Sequence, residues 1–103
     1  MAEYRVQRAA VARLNEIFSY TKKHWGEAQA RRYIDGLFTR FKQIAEGEAR
    51  ATPIPAEFEV TGFYTRYERH YIYWKVLKPG QIGIVTVLHE RMHQLERFKK
   101  DEI

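Results

Sequence analysis

Residues 71–88 read YIYWKVLKPGQIGIVTVL. Two runs rich in aromatic and β-branched side chains, Tyr71 to Leu77 and Ile82 to Leu88, flank Lys78-Pro79-Gly80-Gln81. Such side chains fit a pleated, half-buried surface, and a Pro-Gly pair favours a turn. The stretch therefore predicts a β-hairpin. In its first arm Tyr71, Tyr73 and Lys75 alternate with Ile72, Trp74 and Val76, so the two sets point to opposite faces. Just upstream, Phe63 to Glu68 has the same composition and predicts a third strand.

The first half has a different period. From Ala9 to His24, Val11, Leu14, Phe18 and Thr21 recur at helical spacing with Ile17 beside them. Gly26 interrupts the pattern after Trp25, as the end of a helix would. A second helical pattern runs from about Glu27 to Glu46. Its stripe is Ala30, Tyr33, Ile34, Leu37, Phe38, Phe41, Ile44 and Ala45, and Gly47 stops it. Two adjacent amphipathic helices across a tight turn form an antiparallel hairpin. Tyr20, Trp25 and Tyr33 read as core or helix-packing residues. Tyr4 to Gln7 alternates weakly and suggests an edge strand. Glu48 to Gly62 contains Pro53 and Pro55 and reads as a surface loop. The order is strand, two helices, three strands. That is an α+β fold, with the hairpin packed on one face of a mainly antiparallel four-stranded sheet and the other face more open.

The chain has 103 residues, enough for one domain over residues 1–103 with a charged tail from about 93 to 103. At 45% hydrophobic and 15% aromatic, it is too apolar for a disordered chain. A net charge of +5 with pI near 9.6 points to an acidic partner, either nucleic acid or protein. There is no cysteine, which removes disulfides and thiolate metal sites from consideration. Met1-Ala2-Glu3-Tyr4-Arg5 does not open a signal peptide, and no apolar run approaches the roughly 20 residues that span a bilayer. A cytoplasmic location and no membrane partner are expected.

Several local sequences carry a resemblance. Tyr4-Arg5-Val6 followed by Ala9-Ala10, Leu14-Asn15-Glu16-Ile17-Phe18-Ser19-Tyr20-Thr21, Trp25-Gly26-Glu27-Ala28-Gln29-Ala30, and Val85-Thr86-Val87-Leu88-His89-Glu90-Arg91-Met92 resemble, in that order, segments of the ParE branch of the RelE/ParE toxins. The resemblance spans nearly the whole chain. It implies the toxin of a type II toxin–antitoxin pair, of the plasmid-stabilization kind, neutralised by a cognate ParD-like antitoxin in a toxin–antitoxin hetero-oligomer. It further implies DNA gyrase as the target and inhibition of replication as the outcome. No cofactor, no metal and no catalytic residue are expected on this reading. Phe38, Phe41, Tyr71 and Tyr73 are candidates for antitoxin binding. Arg91, Arg97, Lys99 and Lys100 are candidates for target binding.

Three alternatives stand beside it. RelE members cut mRNA on the ribosome, and a ribosome-dependent endoribonuclease needs groups to move protons and neutralise phosphate. Arg66, Arg69, His70, Tyr71, Tyr73, Lys75, His89 and Arg91 are of suitable type. Arg66, His89 and Arg91 are the preferred set, with Arg66 for phosphate charge and His89 as acid or base. His89-Glu90-Arg91-Met92-His93 also matches the zinc-peptidase pattern His-Glu-x-x-His, which needs a helix to bring both histidines to one metal. Here a strand pattern precedes it, and a third ligand is still needed: Glu96, the nearest downstream carboxylate, lies only three residues past His93, and His70 is available only by tertiary contact. Last, the chain could belong to the fold, bind its partner and have no toxicity.

Overall fold

The computed structural model describes residues 2–56 and 61–92. Strand β1 (Glu3–Val6) leads into helix α1 (Arg8–Trp25) and helix α2 (Glu27–Ala45). Four strands follow: β2 (Thr52–Pro53), β3 (Phe63–Tyr67), β4 (His70–Lys78) and β5 (Gln81–His89). A 3-10 turn, Glu90–Met92, closes the described chain. No described helix is long and apolar enough to cross a membrane.

Gly26 alone links the two helices. Its φ of 94° is open to glycine and strained for other residues, and this one residue reverses the chain. The Gly26 N–H caps α1 on the Lys22 carbonyl at 3.0 Å, and the Gly26 carbonyl receives Ala30 N–H at 3.1 Å. Lys22, Lys23 and His24 sit in the last turn of α1, where cations oppose the helix dipole favourably. Glu27 opens α2 and pairs with Arg31 at 3.1 Å.

The sheet order is β1-β5-β4-β3-β2. β1 runs parallel to β5, and every other pairing is antiparallel. The α+β architecture thus matches the sequence reading, with one addition. The stretch expected to be entirely loop contributes a two-residue edge strand, where Thr52 pairs with Tyr64 and Pro53 with Phe63. Proline lacks an N–H, and an edge strand can spare one.

The core lies between the hairpin and one face of the sheet. Ala10, Leu14 and Ile17 of α1 and Leu37, Phe41 and Ile44 of α2 pack on Ile72, Trp74, Ile82, Ile84 and Val87. Burying a side chain such as Leu37 or Phe41 stabilises the fold by roughly 1.5–3 kcal/mol. The buried stripe of α1 is rotated from the expected one: Ala10 is buried and Val11 is exposed. The small Ala10 lets α1 approach the sheet, which a search for large apolar residues overlooks.

A β-bulge at Val85 sets the second face. Tyr73 pairs with Thr86 and Trp74 with Ile84, so Val85 is the extra residue. Ile84 and Val87 face the helices, and Val85 and Leu88 join Tyr73 and Ile54 in a second buried cluster. The face away from the hairpin is therefore closed at its centre, contrary to the expectation of an open platform.

Candidate functional site

The β3–β4 connection is only two residues long, Glu68-Arg69. Such a tight reversal needs a left-handed residue, and Glu68 takes that role with φ 51°. A side chain there is strained, so neighbours must hold the turn. Three do. Arg66 Nε–H donates to the Glu68 carbonyl at 2.8 Å. Glu90 N–H donates to the Arg69 carbonyl at 2.7 Å. Arg69 N–H donates to the Tyr33 hydroxyl at 3.3 Å.

Tyr33 is the hub on the helix side. Its hydroxyl lies 2.6 Å from His70 Nδ1, and its ring packs edge-on against Tyr67 and His70. Burial, and then neighbouring His89, push His70 down to about 4, so the ring is neutral near pH 7. In the Nε2–H tautomer, Nδ1 accepts the Tyr33 proton. Burial pushes Tyr33 up to about 12, so it remains a phenol. His70 and His89 face each other across β4 and β5, with ring centroids 5.2 Å apart. Arg91 N–H donates to His89 Nδ1 at 3.1 Å.

Arginines surround this hub. Arg66 meets Glu90 Oε1 at 2.7 Å, and Arg69 meets Glu90 Oε2 at 3.6 Å. The Arg66 guanidinium lies over Tyr71, 5.7 Å from the ring centre. Arg40 reaches across from α2, donating to the Arg66 carbonyl at 2.9 Å and lying 5.3 Å from the Tyr67 centroid. Gln29, Arg32, Tyr33, Tyr67, Glu68 and Arg69 line a cleft beside it.

Cross-strand register separates the nuclease candidates. Arg66 pairs with Tyr71 and Tyr71 with Leu88; Tyr67 pairs with His70 and His70 with His89. Because faces alternate along a strand, Arg66 and His89 belong to opposite faces. Arg91 is exposed just past the end of β5. Tyr73 is fully buried, which corrects its place among groups available to RNA. The peptidase motif lacks its helix: His89 ends a strand, Glu90 begins a 3-10 turn and holds two arginines, and His93 lies outside the described residues.

The antitoxin candidates separate as well. Phe41 and Tyr73 have no exposed surface and cannot touch a partner in this conformation, because one fills the helix–sheet core and the other the second cluster. Tyr71 is half-buried beside Tyr64, at 6.0 Å between ring centroids. Phe38 remains 37% exposed and edges an apolar groove with Val6, Val11, Leu14, Asn15, Phe18 and Ile34. Arg97, Lys99 and Lys100 lie outside the described residues. Tyr20 and Trp25 are 64% and 72% exposed, which corrects their reading as packing residues. Sequence reasoning missed Tyr33 as a hub and Glu90 as a shared counter-ion. Both depend on strand register.

The ParE toxin model of type II toxin–antitoxin systems, parDE, matches residues 4–94. Toxin ParE of Escherichia coli is 33% identical over 98 residues, covering 95% of this chain and 94% of the relative. Toxin ParE1 of Caulobacter vibrioides is 30% identical, covering 90% and 94%. Toxin ParE1 of Mycobacterium tuberculosis is 33% identical, covering 88% and 92%. A solved chromosomal ParDE TA system from P. aeruginosa shares the fold, with TM-score 0.67 over 86% of this chain and 96% of that one, at 17% identity. This chain belongs to the ParE family of toxins of type II toxin–antitoxin systems.

Proposed function

We propose that the protein poisons DNA gyrase, blocks replication, and is held inactive by a ParD-like antitoxin. Family membership across residues 4–94 is the observation that carries this reading. On it, the protein acts by binding and has no catalytic site of its own. The placement of Arg66 and His89 on opposite faces supports binding over RNA cleavage. An acid–base group and a phosphate-neutralising group have to converge on one reacting phosphate.

The groove beside Phe38 is the proposed seat of the antitoxin. Val11, Phe18, Ile34 and Phe38 line an apolar trough between α1 and α2, flanked by β1, which is an edge strand among the described residues. An amphipathic segment fits such a trough, and a net charge of +5 favours an acidic one. Arg91, Arg97, Lys99 and Lys100 are the proposed target contacts, at or beyond the end of β5. Supercoiling of plasmid DNA by gyrase, with and without this protein, tests the reading.

A further inference from the structure

Arginines gather around the β3–β4 turn: Arg32 and Arg40 reach it from α2, Arg66 lies on the face of the sheet away from the helices, and Arg69 is in the turn itself. Arg32 and Arg69 line one cleft. Arg40 joins α2 to the Arg66 carbonyl, Arg66 and Arg69 share Glu90, and Arg91 follows Glu90 in the chain. Glu68 and Glu90 are the acids among them.

We propose that this arginine cluster grips the phosphodiester backbone of nucleic acid, and that Glu90 fills the grip as an internal counter-ion until a phosphate displaces it. The Glu90 carboxylate lies between two guanidinium groups, each facing a different oxygen. A phosphate presents the same pair of oxygens, and guanidinium forks match them. The grip is preorganised. Arg66 is fixed by its bond to the Glu68 carbonyl and by the Tyr71 ring beneath it. Arg69 is delivered by the strained Glu68 turn.

Stability does not account for the arrangement. The Arg66 and Arg69 side chains are 55% and 76% exposed, and exposed ion pairs contribute about 0–1 kcal/mol. Arginine is also used throughout, although lysine is common elsewhere in the chain. Two adjacent guanidinium groups, with the Tyr71 ring beneath that of Arg66, suit a polymer of regular negative charge whose sugars and bases can lie on an aromatic face. The grip needs no gyrase and goes beyond the reading above.

The test is fluorescence anisotropy of a labelled DNA duplex with the full chain, across a salt series. Arg66→Ala with Arg69→Ala is expected to weaken binding at least tenfold and to lower the slope of log affinity against log salt by about two. Glu90→Gln is expected to tighten binding, roughly tenfold, because it frees both guanidinium groups while keeping the side chain's shape. Arg31→Ala on the hairpin is the control and is expected to change affinity less than the double variant. If the double alanine variant fails to fold, Arg66→Lys with Arg69→Lys replaces it: charge stays, the fork is lost, and weaker binding is still expected.

Unchanged or weaker binding by Glu90→Gln overturns the counter-ion role, since a purely structural Glu90 gives no tightening. Equal affinity for the wild type and the arginine variants overturns the grip. A labelled oligoglutamate peptide that binds as tightly, with the same arginine dependence, overturns the assignment to phosphate in favour of an acidic protein. Gyrase poisoning that persists without duplex binding overturns this grip alone. Duplex binding without gyrase poisoning supports the grip and counts against the gyrase reading.

Discussion

The Tyr33 hydroxyl lies 2.6 Å from His70 Nδ1, tying α2 to the first residue of β4. The tie requires a neutral His70, which burial favours by pushing it down to about 4. The unfolded chain has an ordinary histidine near 6.5, so between the two values it binds more protons than the folded chain. This contribution to stability is complete above about pH 6.5 and is lost as the pH falls toward about 4. Allowing for partial exposure, the loss by about pH 5 is on the order of 1 kcal/mol. Urea midpoints of the wild type and His70→Gln at about pH 7.5 and about pH 5 check this. The wild type should lose more stability on acidification than the variant.

Gly62 sits where a side chain has no room. A Cβ there would lie 2.7 Å from the Trp74 carbonyl oxygen, on the backbone of the neighbouring strand. The Gly62 carbonyl also receives Ile54 N–H at 3.0 Å. Gly62→Ala should therefore destabilise the fold by about 1–3 kcal/mol. A urea midpoint equal to the wild type's would mean that this backbone shifts freely.

Trp25 and Trp74 are the chain's two tryptophans, and they differ sharply: one is 72% exposed, the other 5%. Acrylamide should quench two distinct emitting populations, and Trp25→Ala should remove the accessible one. The same substitution should change stability by no more than about 0.5 kcal/mol, whereas Trp74→Ala should cost about 3–5 kcal/mol. A single quenching population would contradict this placement of Trp25.

Much of this architecture was legible in the sequence. The period of Leu37, Phe41 and Ile44, the Gly26 break and the turn at Pro79-Gly80 place α2, the hairpin and β4–β5 correctly. What was not legible depends on how elements meet. Trp25 looks like a core residue by composition, yet it falls at the exposed end of α1. Tyr73 alternates with Trp74 and reads as solvent-facing. The bulge at Val85 and the contact with Ile54 bury it. His70 and His89 are 19 positions apart, and only the antiparallel register of β4 and β5 makes them neighbours. No local pattern encodes the sharing of Glu90 by Arg66 and Arg69.

Phe38 separates the two proposed partners. It edges the groove of Val11, Phe18 and Ile34 without entering the closed core. Phe38→Glu should weaken antitoxin binding by at least tenfold, as loss of an apolar anchor does, while leaving the fold intact. Calorimetric titration with purified antitoxin checks affinity, and circular dichroism checks folding. Unchanged affinity in a folded variant would place the antitoxin elsewhere.

The most direct test of the central claim is plasmid supercoiling by purified gyrase in the presence of the antitoxin-free protein. Loss of supercoiling with accumulation of cleaved plasmid, reversed when antitoxin is added, is the expected result. Full supercoiling activity in the presence of folded protein would contradict a gyrase-directed toxin, and mRNA cleavage on the ribosome would become the reading to pursue.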